Sequence, residues 1–186
     1  KLVHDDSGQC SDFLQTYKDE VSKYRLVGYI KVNGLMDCSS THISYDLSQT
    51  EYLKKAIERS TRMVTAVDSN GVSGTSVVVV TVPVLDGDTV IGFVFISIAK
   101  SELSNEGREN LTTAPLSLVT FNNAGEMLTP DADAQNIDME LPKGYELAQL
   151  IQNERQVFSA TNQNGTERVY AVIPLVQGAA FAMSIW

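Results

Sequence analysis

The chain has 186 residues, 43% hydrophobic and 20% charged, with 14 Lys and Arg against 23 Asp and Glu and a net charge of −9. That is enough apolar material for one or two ordinary cores. So acidic a balance argues against nucleic acid or an anionic membrane surface as partner, because both need basic patches, and no apolar run reaches the ~18 residues of a transmembrane helix.

The opening KLVHDDSG has no leader pattern and reads as a start cut from something longer. Residues 7 to about 23 have helical spacing, with Ser7 or Asp6 as N-cap and Cys10, Phe13, Leu14, Tyr17, Val21 and Tyr24 on one face. RLVGYIKV and LMDCSS follow as a hairpin across Asn33-Gly34. THISYDLS is a polar connection. SQTEYLKKAIERS predicts a helix capped by Ser48, with Glu51 in the capping-box position and Tyr52, Leu53, Ala56 and Ile57 apolar. RMVTAVD, TSVVVVTVPVL and TVIGFVFISIA are strands joined by turns at SNGVSG and DGD. The valine run lacks alternation, so it belongs to a strand covered on both faces.

KSELSNEGRENLTTAP is polar and marks a connection. LSLVTFNN and EMLTP form a second hairpin, DADAQNIDMELPKG is a loop, YELAQLIQNE is a short helix, and RQVFSAT, TERVYAVIPLV and AAFAMSIW are closing strands. Trp186 ends a last core strand or stands at a membrane interface ahead of a span outside this chain, and the two readings are compatible.

The two halves share a frame. GTSVVVVTVPVLDG (Gly74 to Gly87) and GTERVYAVIPLVQG (Gly165 to Gly178) match in Gly-Thr, Pro and Gly at an offset of 91 residues. The same offset pairs Gly34 with Gly125 and Met36 with Met127. Glycine and proline mark fixed backbone geometry, so these coincidences weigh more than matched valines. They predict two similar small domains in tandem, each strand, strand, helix, strand, strand, strand. Hairpin-linked strands with helices segregated to the faces make an α+β class with antiparallel sheets.

Little here points to catalysis. His4 and His42 are the only imidazole bases, neither near a nucleophile motif, and there is no P-loop or dinucleotide fingerprint. Asp131, Asp133 and Asp138 only partly follow a calcium loop. Asn136 replaces the turn glycine and Pro142 the bidentate Glu, so a solvated acidic loop is the better reading. No metal, cofactor or enzymatic activity is expected. Cys10 and Cys38 are either a disulfide of an oxidising compartment or two inert buried thiols. A helix laid on the sheet brings them together, and a bond would close a 29-residue loop.

The order of these segments resembles the double Cache sensor domain of bacterial transmembrane receptors. The resemblance rests on DLSQTEYLKKA, SGTSVVVVTVPVLDGDTVIGFVFISI, LSLVTFNNAGEML and GTERVYAVIPLVQGAAFAMSIW, with the leading helix, and covers nearly the whole chain. It implies a long N-terminal helix (1–24), a membrane-distal PAS-like sensor module (25–103) and a membrane-proximal one (104–186). It implies a periplasmic or extracellular place in an inner-membrane protein, between transmembrane helices that lie outside this chain. The output would be a histidine kinase, a diguanylate cyclase or phosphodiesterase, or a chemoreceptor tail, and signalling would need a homodimer. DCSS (Asp37 to Ser40) is also similar to the CSS motif of periplasmic domains in some cyclic-di-GMP phosphodiesterases. That likeness implies a redox-responsive domain switched by Cys10–Cys38. A relay module that binds nothing is the third reading.

In relatives of the double Cache family that bind amino acids, the segment after the first hairpin carries a Tyr, an Arg five residues on that clasps the carboxylate, and then an aromatic. Tyr45 and Tyr52 match the aromatics, Thr50 stands at the Arg, and Ser97 stands where those relatives have the Asp that holds the ammonium. The absence of both charged anchors implies a neutral or cationic small polar ligand. It would be held by Tyr45, Thr50, Tyr52 and Ser97, with Asp68 at the rim and Arg62 the nearby cation able to rescue an anion. Against this, Tyr45 and Tyr52 can simply be core aromatics whose hydroxyls reach water.

Overall fold

The computed structural model describes residues 7–67, 72, 74–103, 114–129, 136–151 and 156–186. The chain divides into two compact units, Lys1–Ala99 and Lys100–Trp186.

Unit 1 opens with α1 (Ser7–Glu20). The helix stops short of the expected residue 23, and Tyr24 already begins β1 (Tyr24–Lys31). Its buried face also differs from the expected one. Cys10 and Ser11 are buried and Leu14 packs beside them, while Phe13 and Tyr17 are exposed. Tyr17 instead stacks on Tyr24 with ring centroids 5.8 Å apart. Helical spacing identified the apolar residues but not which side the sheet covers.

The second strand of the first hairpin is broken at Asp37 into β2 (Leu35–Met36) and β3 (Cys38–Ser39). β2 pairs with β4 (Tyr45–Asp46), inside the stretch expected to be a plain connection. α2 (Glu51–Arg59) is capped by Thr50, not Ser48, and ends at Ser60 in the left-handed conformation with φ 48°. β5 (Met63–Val67), β6 (Val77–Asp86) and β7 (Thr89–Ala99) complete a five-stranded antiparallel sheet of order β3-β1-β7-β6-β5.

Alternation sorts this sheet into two faces. The inner face carries Leu26 and Ile30 of β1, Phe93 and Phe95 of β7, Val77 and Val79 of β6 and Met63 of β5, packed under Leu53 and Ala56 of α2 and under Met36. The outer face meets α1 through Tyr29 and Cys38. Val78 is buried on the outer side between Val77 and Val79, so the expected double coverage holds there, but it runs out by Val82, which is exposed.

Unit 2 opens with α3 (Lys100–Leu103), followed by β8 (Ser117–Asn122) and β9 (Met127–Thr129). The expected loop holds a short α4 (Ile137–Glu140), and the expected helix is a 3-10 turn over Leu147–Ile151. β10 (Gln156–Thr161), β11 (Glu167–Val176) and β12 (Ala180–Ile185) close a sheet of order β10-β11-β12-β8-β9. Read from its other edge, β9-β8-β12-β11-β10, this is the order of the first sheet: second hairpin strand, first hairpin strand, last strand, then the two before it.

The shared glycines occupy matching turns. Gly34 and Gly125 have φ 92° and 81°, Gly74 and Gly165 have 65° and 83°, and Gly87 and Gly178 have 59° and 71°. All six sit in the left-handed region, where a Cβ costs energy. The ladder also shifts register in the same place, between Val84 and Leu85 in β6 and between Pro174 and Val176 in β11.

Candidate functional site

The candidate site lies on the inner face of unit 1, beneath the cap formed by the β2–β4 ribbon and α2. Tyr52, in the first turn of α2, points its hydroxyl at Thr81 of β6 and hydrogen-bonds Thr81 Oγ1. Thr81 is fully buried. Burial pushes the Tyr52 phenol well above its ordinary pKa, only partly offset by the Thr81 hydrogen bond, so the group is a neutral donor and acceptor at every relevant pH. Tyr45 in β4 is half-buried and packs on the same core.

Ser97 in β7 is buried on this face opposite Leu26 and Val79. Its hydroxyl donates to the Leu26 carbonyl oxygen at 3.4 Å, a long contact that leaves its lone pairs open to a second partner. Thr65 of β5 stands across Val79 from Ser97. Thr81, two residues from Val79 on the same strand, is a diagonal neighbour of both Thr65 and Ser97. The sheet thus presents three hydroxyls around Val79, with a fourth, from Tyr52, descending from the cap. None of the described strand residues on this face is charged.

The remaining expected residues fall elsewhere. Thr50 Oγ accepts from Leu53 N–H at 3.3 Å and its hydroxyl donates to the Leu47 carbonyl oxygen at 2.7 Å, so it serves as the helix cap. Arg62 is exposed just before β5. Asp68, like His4, Asp131 and Asp133, lies outside the described residues. Thr81 and Thr65 were not anticipated. The available signal was a lone hydroxyl residue in VVVVTVPVL and another in MVTAV.

The same inner face in unit 2 is differently furnished. Glu140 Oε2 accepts from Arg168 Nε at 3.0 Å and from Asn162 Nδ2 at 2.9 Å, while the Tyr170 hydroxyl donates to the Glu140 carbonyl at 2.8 Å. Burial works against the Glu140 carboxylate, but the Arg168 and Asn162 hydrogen bonds and the Arg168 charge outweigh it and hold its carboxyl below the ordinary value. Asn162, itself buried, also accepts from Thr166 N–H at 2.8 Å. Phe158 stacks on Tyr170 at 5.2 Å. These groups satisfy one another.

Cys10 and Cys38 are joined in a disulfide with Cα atoms 5.6 Å apart. It fastens α1 to edge strand β3 on the outer face, away from the hydroxyls, and both cysteines are buried. The other residues of DCSS make local contacts. Asp37 pairs with Lys31 at 2.6 Å, Ser39 N–H donates to Ser11 Oγ at 3.2 Å, and Ser40 Oγ accepts from Val27 N–H at 3.1 Å. His42 Nε2 is within 3.0 Å of Gln15 Oε1 on α1.

No family model and no curated protein matches the sequence. Solved structures do match. The chain superposes on the extracellular domain of rpHK1S-Z16, assigned as a histidine kinase, with a TM-score of 0.65 and 16% identity over 97% of this chain and 78% of that one. This is the fold of extracellular sensor domains. The ligand-binding domain of the Campylobacter jejuni chemoreceptor Tlp3, holding 4-methylisoleucine, matches with a TM-score of 0.55 and 15% identity over 95% of this chain and 69% of that one. A domain of a protein from Vibrio parahaemolyticus, assigned to the sensory box/GGDEF family, matches with a TM-score of 0.53 and 13% identity over 99% and 80%. The same fold therefore recurs in proteins described as a histidine kinase, a chemoreceptor and a sensory box/GGDEF family member, and no helix among the described residues is long and apolar enough to cross a membrane.

Proposed function

We propose that the chain is the extracytoplasmic ligand-sensing part of a bacterial transmembrane receptor, with unit 1 the sensing module and unit 2 the module that passes the change on. On this reading the two units are tandem PAS-like modules (25–103 and 104–186) behind an N-terminal helix, in an inner-membrane receptor. The observation that carries it is the contrast between the two inner faces. Unit 2 closes its polar groups on each other through Glu140 and Arg168, whereas unit 1 gathers Tyr52, Thr81, Thr65 and Ser97 without a charge. Hydroxyls donate and accept equally, so such a face suits a neutral polar ligand, and nothing described on it repels a cation.

Tlp3 is a neighbour whose ligand is an amino acid. An α-amino acid needs partners for a carboxylate and an ammonium, and this face supplies hydroxyls alone. Arg62 is the cation closest in sequence to β5. The test is a calorimetric screen of uncharged hydroxylated compounds, amines, L-amino acids and dicarboxylates. A neutral or cationic binder is expected, weakened at least tenfold by Tyr52→Phe and by Thr81→Val and left unchanged by Arg62→Ala. Tight binding of an ordinary L-amino acid, lost on Tyr52→Ala and indifferent to Arg62→Ala, would show the assigned ligand class to be wrong.

A further inference from the structure

Two donors converge on one carboxylate oxygen in unit 2. Arg168 Nε, on β11, and Asn162 Nδ2, in the turn between β10 and β11, both donate to Glu140 Oε2, at 3.0 and 2.9 Å. The β10–β11 hairpin sets both donors. Arg168 stands in its ladder opposite Ala160. Asn162 is fully buried, and its Oδ1 accepts the Thr166 N–H, which leaves its amide nitrogen facing the carboxylate. A pair of N–H donors aimed at one point, one of them on a cation, is the arrangement that recognises a carboxylate.

Glu140 reaches these donors from α4, and its backbone is held there by other contacts. The Glu140 carbonyl accepts from the Tyr170 hydroxyl at 2.8 Å, and the Leu141 N–H closes the last turn onto the Ile137 carbonyl at 3.0 Å. Neither contact uses the carboxylate. The carboxylate takes the Nε of Arg168, and the terminal nitrogens of that guanidinium have no partner among the described residues. A carboxylate free to orient itself takes two guanidinium nitrogens in parallel, so Glu140 leaves part of the fork unused. The Arg168 and Glu140 side chains are 22% and 28% exposed, so a solute can reach them.

We propose that the inner face of unit 2 is a binding site for a small monocarboxylate, and that the Glu140 side chain is its internal competitor. Rotation of that side chain about its own torsions vacates the donors, while Tyr170 keeps the Glu140 backbone in place. The incoming carboxylate bonds Nε and a terminal nitrogen of Arg168, and Asn162 Nδ2. Glu140 passes into water and recovers the hydration that burial removes from its charge. An amine or a neutral polyol brings no negative charge to Arg168 and does not displace Glu140.

Location points the same way. By the 91-residue offset β11 answers to β6, and Glu140 answers to Gln49, the residue before the α2 cap. In each unit a polar side chain from the segment after the hairpin therefore drops onto the corresponding inner strand: Tyr52 onto Thr81 in unit 1, Glu140 onto Arg168 in unit 2. The carboxylate assignment stands on the unit 2 contacts alone and does not need unit 1 to hold a ligand.

Acetate is the probe, because its two carbons match the Cγ and Cδ that Glu140→Ala removes. Sodium acetate is titrated into the 186-residue chain at constant ionic strength, with binding read from the Arg168 Nε–H resonance and stability from the thermal midpoint. Acetate should bind Glu140→Ala at least tenfold more tightly than wild type, since a tethered competitor is gone, and should raise the lowered midpoint of that variant. Sodium chloride and acetamide should do neither, and adding Arg168→Gln should abolish the acetate-dependent rise. A merely structural ion pair would give a destabilised variant indifferent to acetate, and that result would overturn the proposal. Chloride matching acetate, or a rise that survives Arg168→Gln, would overturn it too. If Glu140→Ala does not fold, the wild-type chain decides: a saturable acetate shift of the Arg168 Nε–H resonance upholds the site, and an unmoved resonance overturns it.

Discussion

Removing the disulfide measures how much of unit 1 depends on it and whether the two units melt together. The bond links residues 28 apart in sequence and closes a loop of 29. Chain entropy for such a loop is about 12 cal/mol/K, or ~3.6 kcal/mol at 25 °C. Unfolding entropy of ~2.1 cal/mol/K per residue over the 99 residues of Lys1–Ala99 gives ~0.21 kcal/mol/K. If unit 1 unfolds by itself, the double variant Cys10→Ser/Cys38→Ser should melt about 17 °C lower in unit 1, with the transition of unit 2 unmoved. If all 186 residues unfold as one, the same free energy spreads over ~0.39 kcal/mol/K and the single midpoint falls about 9 °C. Differential scanning calorimetry without reductant separates the cases, and wild-type protein with its disulfide reduced should reproduce the variant. A midpoint within ~2 °C of wild type would refute the reasoning. It would mean that packing of Cys10, Leu14 and Tyr29 holds α1 in place unaided. Two free thiols titrated in the native, non-reduced protein would refute the bond itself.

Unit 2 should respond to acid through Glu140. Its carboxyl is held below the ordinary value when folded, so its stabilisation is complete above the unfolded carboxylate pKa and is lost as pH falls through the lowered folded one. Thermal midpoints between pH 7 and pH 3 should therefore drop more steeply in wild type than in Glu140→Gln, and parallel curves would contradict the pairing with Arg168. A glycine pair separates backbone handedness from crowding. Gly34→Ala places a Cβ 2.4 Å from Ser48 Cα at φ 92° and should cost roughly 3 kcal/mol or more, whereas Gly165→Ala at φ 83° meets nothing within 4 Å and should cost about 1–2 kcal/mol. Urea unfolding reads both, and equal losses would show that handedness alone decides.

Much of the strand order could be read from the residues because turns announce themselves. Asn33-Gly34, Asp86-Gly87 and Asn122 to Gly125 each need a left-handed glycine, and each joins two apolar runs. Facing was harder to read. The apolar residues of α1 share one face by spacing, but the Cys10–Cys38 bond sets the helix so that Cys10, Ser11 and Leu14 meet the sheet and Phe13 and Tyr17 do not. The cap of α2 was misplaced because Ser48 and Thr50 are both good N-caps. Asp46 settles the choice by accepting the Ser48 N–H at 2.9 Å, which turns the chain before the helix begins. Within the candidate site, Tyr45, Tyr52 and Ser97 were legible through resemblance. Thr81 was not, since a threonine in a valine strand looks like β-propensity until the register shows which face it shares.

The left-handed glycines have one more consequence. The three pairs and the matching register shifts mark where each unit turns, and between them side chains differ freely: Val79 of β6 corresponds to Tyr170 of β11, and Thr81 to Val172. The turns fix the path of the backbone, and the inward residues only fill it. Exchanging filling while keeping turns is thus a small step for mutation. The segment between Gly74 and Gly87 and the one between Gly165 and Gly178 each hold a ten-residue strand, so one could replace the other without altering strand length or the handedness of the flanking turns. A chimera in which 75–86 is replaced by 166–177 keeps every turn and carries the Arg168 and Tyr170 side chains into unit 1, so recognition can be rewritten while the folding problem stays solved.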